Sequence, residues 1–274
     1  MPRISRALVR YHGGKWQLAH WIISHFPTHR VYVEPYGGAA SVLLKKPRAP
    51  AEVYNDLDSR MVNLFRVVRD RGADLKRAVE LTPFAREEFD LAWEPTDDAF
   101  EGARRTMVRA AMGRDSASAT MSSKSSFRVY VGDKRPATTM ADWVNYPASL
   151  DTVIARLRGV ALENRDGLDV MAAYDGPDTL HYVDPPYVFE TRDKGRRDYR
   201  HEFDTYDHEA MLTLLVQLQG RVVLSGYDNP MYQARLSSWT KVIREAHADG
   251  ASPRTEVLWI SPECAIGSRT RPGQ

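Results

Sequence analysis

The sequence predicts an α/β fold: one mixed, mostly parallel sheet with helices on both faces, interrupted by a mostly helical inserted lobe. Three observations predict it. Near the N-terminus a strand, a glycine turn, a helix, a second strand ending in an acid and another helix follow in order, which is the opening of a doubly wound sheet. From about residue 70 to residue 158 that alternation stops, and a mostly helical stretch, rich in Ser, Gly and Arg from Gly113 to Lys134, takes its place. Strand signals then return and continue almost to the end of the chain.

The elements are predicted as follows. Val31-Tyr32-Val33 is a short β-prone run that ends at Glu34-Pro35, and Gly37-Gly38 turns the chain into a helix opened by Ala39-Ala40-Ser41. Glu52-Val53-Tyr54-Asn55 is a second strand, ending at Asp56. A helical pattern runs from about Asp58 to Leu81 with Met61, Leu64, Phe65 and Val68 on one face. Thr82-Pro83 reads as an N-cap and first helical residue, with helical stretches to about Met112. Residues 113–134 read as loops or a hairpin with a strand at Phe127-Arg128-Val129-Tyr130-Val131, and a further helix is expected from Ala141 to Arg158. The sheet resumes at Val160–Leu162, Thr179–Val183, Arg221–Leu224 and Thr255–Ile260, with a helix from about Asp207 to Gln219. The predicted division is a catalytic unit of residues 1–69 and 159–274 and an inserted lobe of residues 70–158.

The 274 residues suit one large domain or a core with an insertion, and 43% hydrophobic with 27% charged residues is ordinary for a globular protein. The single cysteine, Cys264, forms no internal disulfide and supplies no zinc site by itself. No apolar run approaches the roughly 18–20 residues of a membrane span, and no signal peptide is visible. The expectation is a cytoplasmic protein with no metal. Net charge is only +2, but between Arg104 and Arg135 eight basic residues meet two acids. Such a local excess fits phosphate contacts or, equally, a solvated helix face.

Chemistry is expected at Asp184-Pro185-Pro186-Tyr187, directly after the strand Thr179–Val183, because open α/β sheets bind ligands at the carboxyl ends of their strands. The exocyclic amine of adenine is a poor nucleophile, since its lone pair is delocalised into the ring. A carboxylate and a rigidly held carbonyl that accept both N–H protons favour the pyramidal amine needed for attack. Asp184 supplies the first. Pro185 and Pro186 stiffen the chain so that the Pro185 carbonyl supplies the second. Tyr187 offers a ring on which a base can stack. The plain alternative is an Asp-Pro turn with a surface tyrosine.

The order of motifs resembles the Dam-like, D12 class DNA adenine-N6 methyltransferases. Four segments carry the resemblance: Tyr11-His12-Gly13-Gly14-Lys15, Val33-Glu34-Pro35-Tyr36-Gly37-Gly38-Ala39, Tyr54-Asn55-Asp56, and Asp184-Pro185-Pro186-Tyr187. Weaker echoes are Glu163-Asn164-Arg165-Asp166, Leu224-Ser225-Gly226-Tyr227 and Glu256-Val257-Leu258-Trp259. The resemblance implies a class I S-adenosylmethionine-dependent methyltransferase fold and methyl transfer from that cofactor to N6 of an adenine swung out of double-stranded DNA, by a monomer or weak dimer of bacterial or phage origin. It implies a cofactor site of Tyr11, Lys15, Glu34, Pro35, Tyr36, Gly37, Gly38, Asp56, Asp166 and Asp184. Lys15 either pairs with the methionine carboxylate, lines the base pocket or is solvated. Asp56 either accepts the ribose hydroxyls or caps the next helix, where Asp58 competes. Asp166 either accepts from the cofactor's adenine amine or caps a helix near Gly167. Tyr11 and Tyr36 suit a sulfonium cation or pack in the core.

The chain departs from the family's pattern at Tyr36, usually Phe, and at Ala40, usually Gly. The expected DNA contacts are Arg109, Arg114, Lys124, Arg128 and Arg192, the last in a basic segment, Arg192–Arg200, that either orders on DNA or stays disordered. Rival readings are cytosine-N4 methylation, whose enzymes usually carry Ser in place of Asp184, adenine methylation in RNA, and a DNA-binding regulator with a degenerate cofactor pocket.

Overall fold

A computed structural model of the chain describes residues 4–121, 123–128, 139–187, 203–247 and 253–266. Its centre is a seven-stranded sheet: β1 (Val31–Glu34), β2 (Ala51–Asn55), β3 (Val160–Glu163), β4 (Thr179–Val183), β5 (Arg221–Gly226), β6 (Thr240–His247) and β7 (Pro253–Ile260). The spatial order is β3-β2-β1-β4-β5-β7-β6. Strands β1 to β5 pair in parallel, while β7 runs antiparallel to both β5 and β6. Chain order reverses between β1 and β4, so the switch-point crevice opens between their carboxyl ends.

The strands sort their side chains by the two-residue pleat. Tyr32, Tyr54, Leu180, Tyr182, Val223 and Leu258 join a core with α1 (Ala19–Ser24), α2 (Ser41–Lys45) and α3 (Ser59–Asp70). Val183, Val222, Leu224, Val257 and Trp259 face the other way. That second face is covered in part by Met171 of α9 (Gly167–Ala173), Met211 of α10 (Thr205–Leu215) and Tyr232 of α11 (Pro230–Arg235).

Between α3 and β3 the chain forms α4 (Gly72–Leu81), α5 (Arg86–Leu91), α6 (Ala99–Met112), α7 (Thr139–Asn145) and α8 (Leu150–Leu157), and α12 (Glu263–Ile266) closes the described chain. Phe89, Met107, Trp143 and Leu150 from these helices share one hydrophobic cluster with α3 and the sheet, so the lobe's core is continuous with that face.

The differences from expectation have local causes. The helix expected over 58–81 breaks at Arg71, whose backbone at φ −133 and ψ 33 leaves the helical region, and Gly72 beyond it packs where an added Cβ would lie 2.5 Å from Ile154 of α8. The helix expected over 141–158 is divided by a 3₁₀ turn at Pro147–Ser149, since proline lacks the N–H an α-helix interior needs. Thr82-Pro83 does not start a helix. Thr82 ends α4, its hydroxyl donating to the Ala78 carbonyl, and α5 begins at Arg86. Phe127 makes only a bridge to Gly113, and residues 129–131 of the expected strand lie outside the described residues. β6 was not expected; its Lys241, Arg244 and Glu245 mark a charged edge strand, not a buried one.

Candidate active site

The carboxyl ends of the parallel strands frame a cavity of about 440 Å³. All ten residues expected at the cofactor site line it, together with Pro185 and Pro186. Their places follow from the strand order. Asp166 follows β3, Asp56 follows β2, the glycine loop follows β1 and Asp184 follows β4, so the cavity runs across four adjacent strand ends.

Asn55 sets the loops. Buried completely, it donates to the carbonyls of Pro35 and Arg165 and accepts from the Arg165 amide, which ties the ends of β1, β2 and β3 together. Gly38 sits at φ +49, a conformation glycine adopts freely, with the Tyr11 ring where a side chain would go. Its amide donates to Asp56 Oδ2 at 2.7 Å, and the Asp58 amide donates to Asp56 Oδ1 at 2.7 Å. Asp58 itself caps α3 through the Arg60 amide. Asp166 caps α9, accepting from the Leu168 amide while lining the cavity.

At the β4 end the Lys15 ammonium lies 3.1 Å from Asp184 Oδ1, donates to the Gly13 carbonyl at 2.8 Å, and stands 4.6 Å from the centre of the Tyr187 ring. Its side chain is only 6% exposed, so it is not a solvated lysine. Tyr187 donates its hydroxyl to Glu256 Oε2 at 2.7 Å and meets the Tyr227 ring edge-on, 4.5 Å between centres. Three carboxyls in the cavity wall hold protons more tightly than usual because burial disfavours their charge. Glu34, which accepts from the Tyr32 hydroxyl and the Leu43 amide, is pushed up to about 8. Asp56 is raised to about 6 against the pull of its two amide donors. Asp184 is raised to about 6 by burial, with Lys15 pulling it back.

Sequence reasoning missed several contributors. Phe203, whose ring meets Tyr36 at 5.5 Å, and Asp207 line the cavity from the start of α10. The reciprocal capping of Asp204 and Asp207 was the available signal for that helix start. Thr120 reaches the cavity from the lobe, and Glu256, outside the cavity lining, accepts the Tyr187 hydroxyl.

The expected DNA contacts divide. Arg109 is a correction: it is 6% exposed, donates to the carbonyls of Ser118 and Met121, and lies 3.9 Å over the Trp93 ring, so it holds the lobe together and does not face phosphate. Arg104 and Arg105 likewise pair with Glu101. Arg114 is exposed, Lys124 is half-exposed and paired with Asp90, and Arg128 lines a second cavity beside the first. Arg192 lies outside the described residues. Among the described residues no helix is long and apolar enough to cross a membrane, and no cluster of three or more His, Cys, Asp or Glu is placed to hold a metal.

The comparisons with known proteins agree with one another. Over 103 residues the chain is 33% identical to a protein named DNA adenine methylase from Serratia marcescens, an alignment covering 33% of this chain and 37% of that relative. The chain thus matches little more than a third of the relative's length. The family described as D12 class N6 adenine-specific DNA methyltransferase matches residues 11–248. That family has the class I methyltransferase fold, and the seven-stranded mixed sheet is consistent with it. The chain belongs to the D12 class N6 adenine-specific DNA methyltransferase family.

Proposed function

We propose that the protein methylates the exocyclic N6 amine of adenine in double-stranded DNA, using S-adenosylmethionine. The observation that carries the reading is Asp184-Pro185-Pro186-Tyr187 at the carboxyl end of β4, whose first three residues form one end of a cavity with remaining walls that suit an elongated nucleoside ligand. The donor set fits the cofactor. Asp56 Oδ1 and Oδ2 each accept one amide, and each keeps a lone pair for a ribose hydroxyl. Asp166 uses Oδ1 for its cap and keeps Oδ2 for an adenine amine. Tyr11, Tyr36 and Phe203 supply ring surface.

When bound, the cofactor supplies an electrophilic methyl group on a sulfonium sulfur. Asp184 accepts one N–H of the target amine and the Pro185 carbonyl accepts the other, which turns the nitrogen lone pair out of the ring. Tyr187 carries the base on its face. Asp184, ionised above about pH 6, is the nearest carboxylate for the proton the amine must lose. Alignment of donor and amine contributes most of the rate, and no covalent intermediate with the enzyme is needed.

In this reading residues 1–69 and 159–274 are the catalytic unit and residues 70–158 the DNA-binding lobe, with Arg114, Lys124 and Arg128 as the basic contacts among the described residues. The protein acts in the cytoplasm as a monomer or weak dimer and needs no metal. Asp184→Ala is expected to abolish transfer while S-adenosylhomocysteine binding, read by calorimetry, stays measurable. Near-normal transfer by that variant contradicts the reading.

A further inference from the structure

The wall beside Asp184 holds a carboxylate that the mechanism above leaves unused. Because β7 runs against β5, its first residues, not its last, lie at the edge where the parallel strands end; Val257 pairs with Gly226, the final residue of β5. Glu256 therefore stands at the catalytic edge. Its Oε2 accepts the Tyr187 hydroxyl at 2.7 Å, while the Tyr227 ring makes a T-shaped contact with the same ring and the Lys15 ammonium stands over its face. The ring is held at its hydroxyl and by two neighbouring side chains.

A neutral acceptor would satisfy a tyrosine hydroxyl as well. A second carboxylate close to Asp184 is electrostatically unfavourable, so packing alone does not account for it. We propose that Glu256 is a positioning residue for the reaction: by holding the Tyr187 hydroxyl it fixes the plane of the ring, and so the plane in which an adenine is presented to Asp184. The inference rests on the methyl-transfer reading.

Glu256 also leaves an electrostatic mark. The groups facing Asp184 are Lys15 from the N-terminal loop, Glu34 from β1, Tyr182 from β4, Tyr187 from its own segment, Tyr232 from α11 and Glu256 from β7. Burial raises Asp184 most, Lys15 opposes it, the Glu256 charge raises it further, and the Tyr187 hydroxyl, which also reaches Asp184, lowers it.

The test is methyl transfer to unmethylated genomic DNA by the wild type, Glu256→Ala, Glu256→Gln, Tyr187→Phe and the Glu256→Ala/Tyr187→Phe pair, with S-adenosylhomocysteine binding and thermal unfolding measured alongside. Glu256→Ala and Tyr187→Phe should each lose about tenfold or more in kcat, and the pair no more than either alone. Cofactor affinity should hold. Glu256→Gln, whose amide oxygen still accepts, should recover most of the rate and move the acidic limb of kcat/KM below its wild-type position. A fully active Glu256→Ala, losses that multiply in the pair, a Gln variant no better than Ala, or a rate loss matched by lost cofactor affinity and stability each overturns the inference. If the wild type makes no N6-methyladenine, the underlying reading fails as well; a methylating wild type with an unimpaired Glu256→Ala sinks the inference alone.

Discussion

Ala40 sits fully buried at φ 52 and ψ 34, the left-handed region, at the end of the loop that follows β1. The family usually carries glycine there, and an L side chain in this conformation costs roughly 1–2 kcal/mol. Ala40→Gly is therefore expected to stabilise the protein by about 1 kcal/mol, the relief of strain being partly offset by a freer unfolded chain. A shifted urea midpoint at unchanged slope checks this. Glu34 lies nearby, 2% exposed, and its folded-state value of about 8 stands above the 4.5 of an ordinary glutamate. The folded protein thus binds a proton that the unfolded chain has released between those values, and stability falls as pH rises through the window. Glu34→Gln keeps an acceptor for Tyr32 and Leu43 without the charge. It should raise the melting temperature more at pH 8 than at pH 5; an equal gain at both would show that Glu34 does not titrate there.

Among the elements, α8 is fastened to the sheet by charge. Arg156 pairs with Glu52 of β2 and donates to the Leu43 carbonyl of α2, while Lys46 shares the same carboxylate at 2.7 Å. Both Arg156 and Glu52 are almost wholly buried. Arg156→Ala removes one partner from a buried ionic group and should cost about 3 kcal/mol in denaturant unfolding. Elements of this kind also show what sequence can reveal. β1, β2, β4 and β5 were legible because strands buried on both faces read as compact β-prone runs. β6 was not, because an edge strand defended by charge lacks that run. The breaks at Arg71 and Pro147 depend on one residue's backbone angles and on one missing donor, neither of which disturbs helical periodicity. At the site, residues in local motifs such as Tyr54-Asn55-Asp56 were found, with their backbone partners invisible. Glu256 and Phe203 carry no local signal, since an antiparallel strand brings the one to Tyr187 and a distant helix start brings the other to the cavity. Arg109 was misread because its charge is visible in sequence and its burial is not.

The whole molecule joins the two tasks of the proposed reaction through shared walls. The cavity at the strand ends takes Thr120 from the lobe, and Arg109 holds the surrounding turn by the carbonyls of Ser118 and Met121. A cofactor bound across the strand ends would therefore touch the same lobe that is proposed to meet DNA. Arg128 lines the neighbouring cavity with Arg6 and Arg10, which continues positive charge from the lobe toward Tyr11. In the proposed reaction this arrangement delivers a methyl group to adenine. Its most direct test is incubation of the purified protein with labelled S-adenosylmethionine and unmethylated genomic DNA, followed by nucleoside mass spectrometry. N6-methyladenine is the expected product, whereas methylated cytosine, or no methylated base from a folded protein that binds the cofactor, would overturn the proposed function.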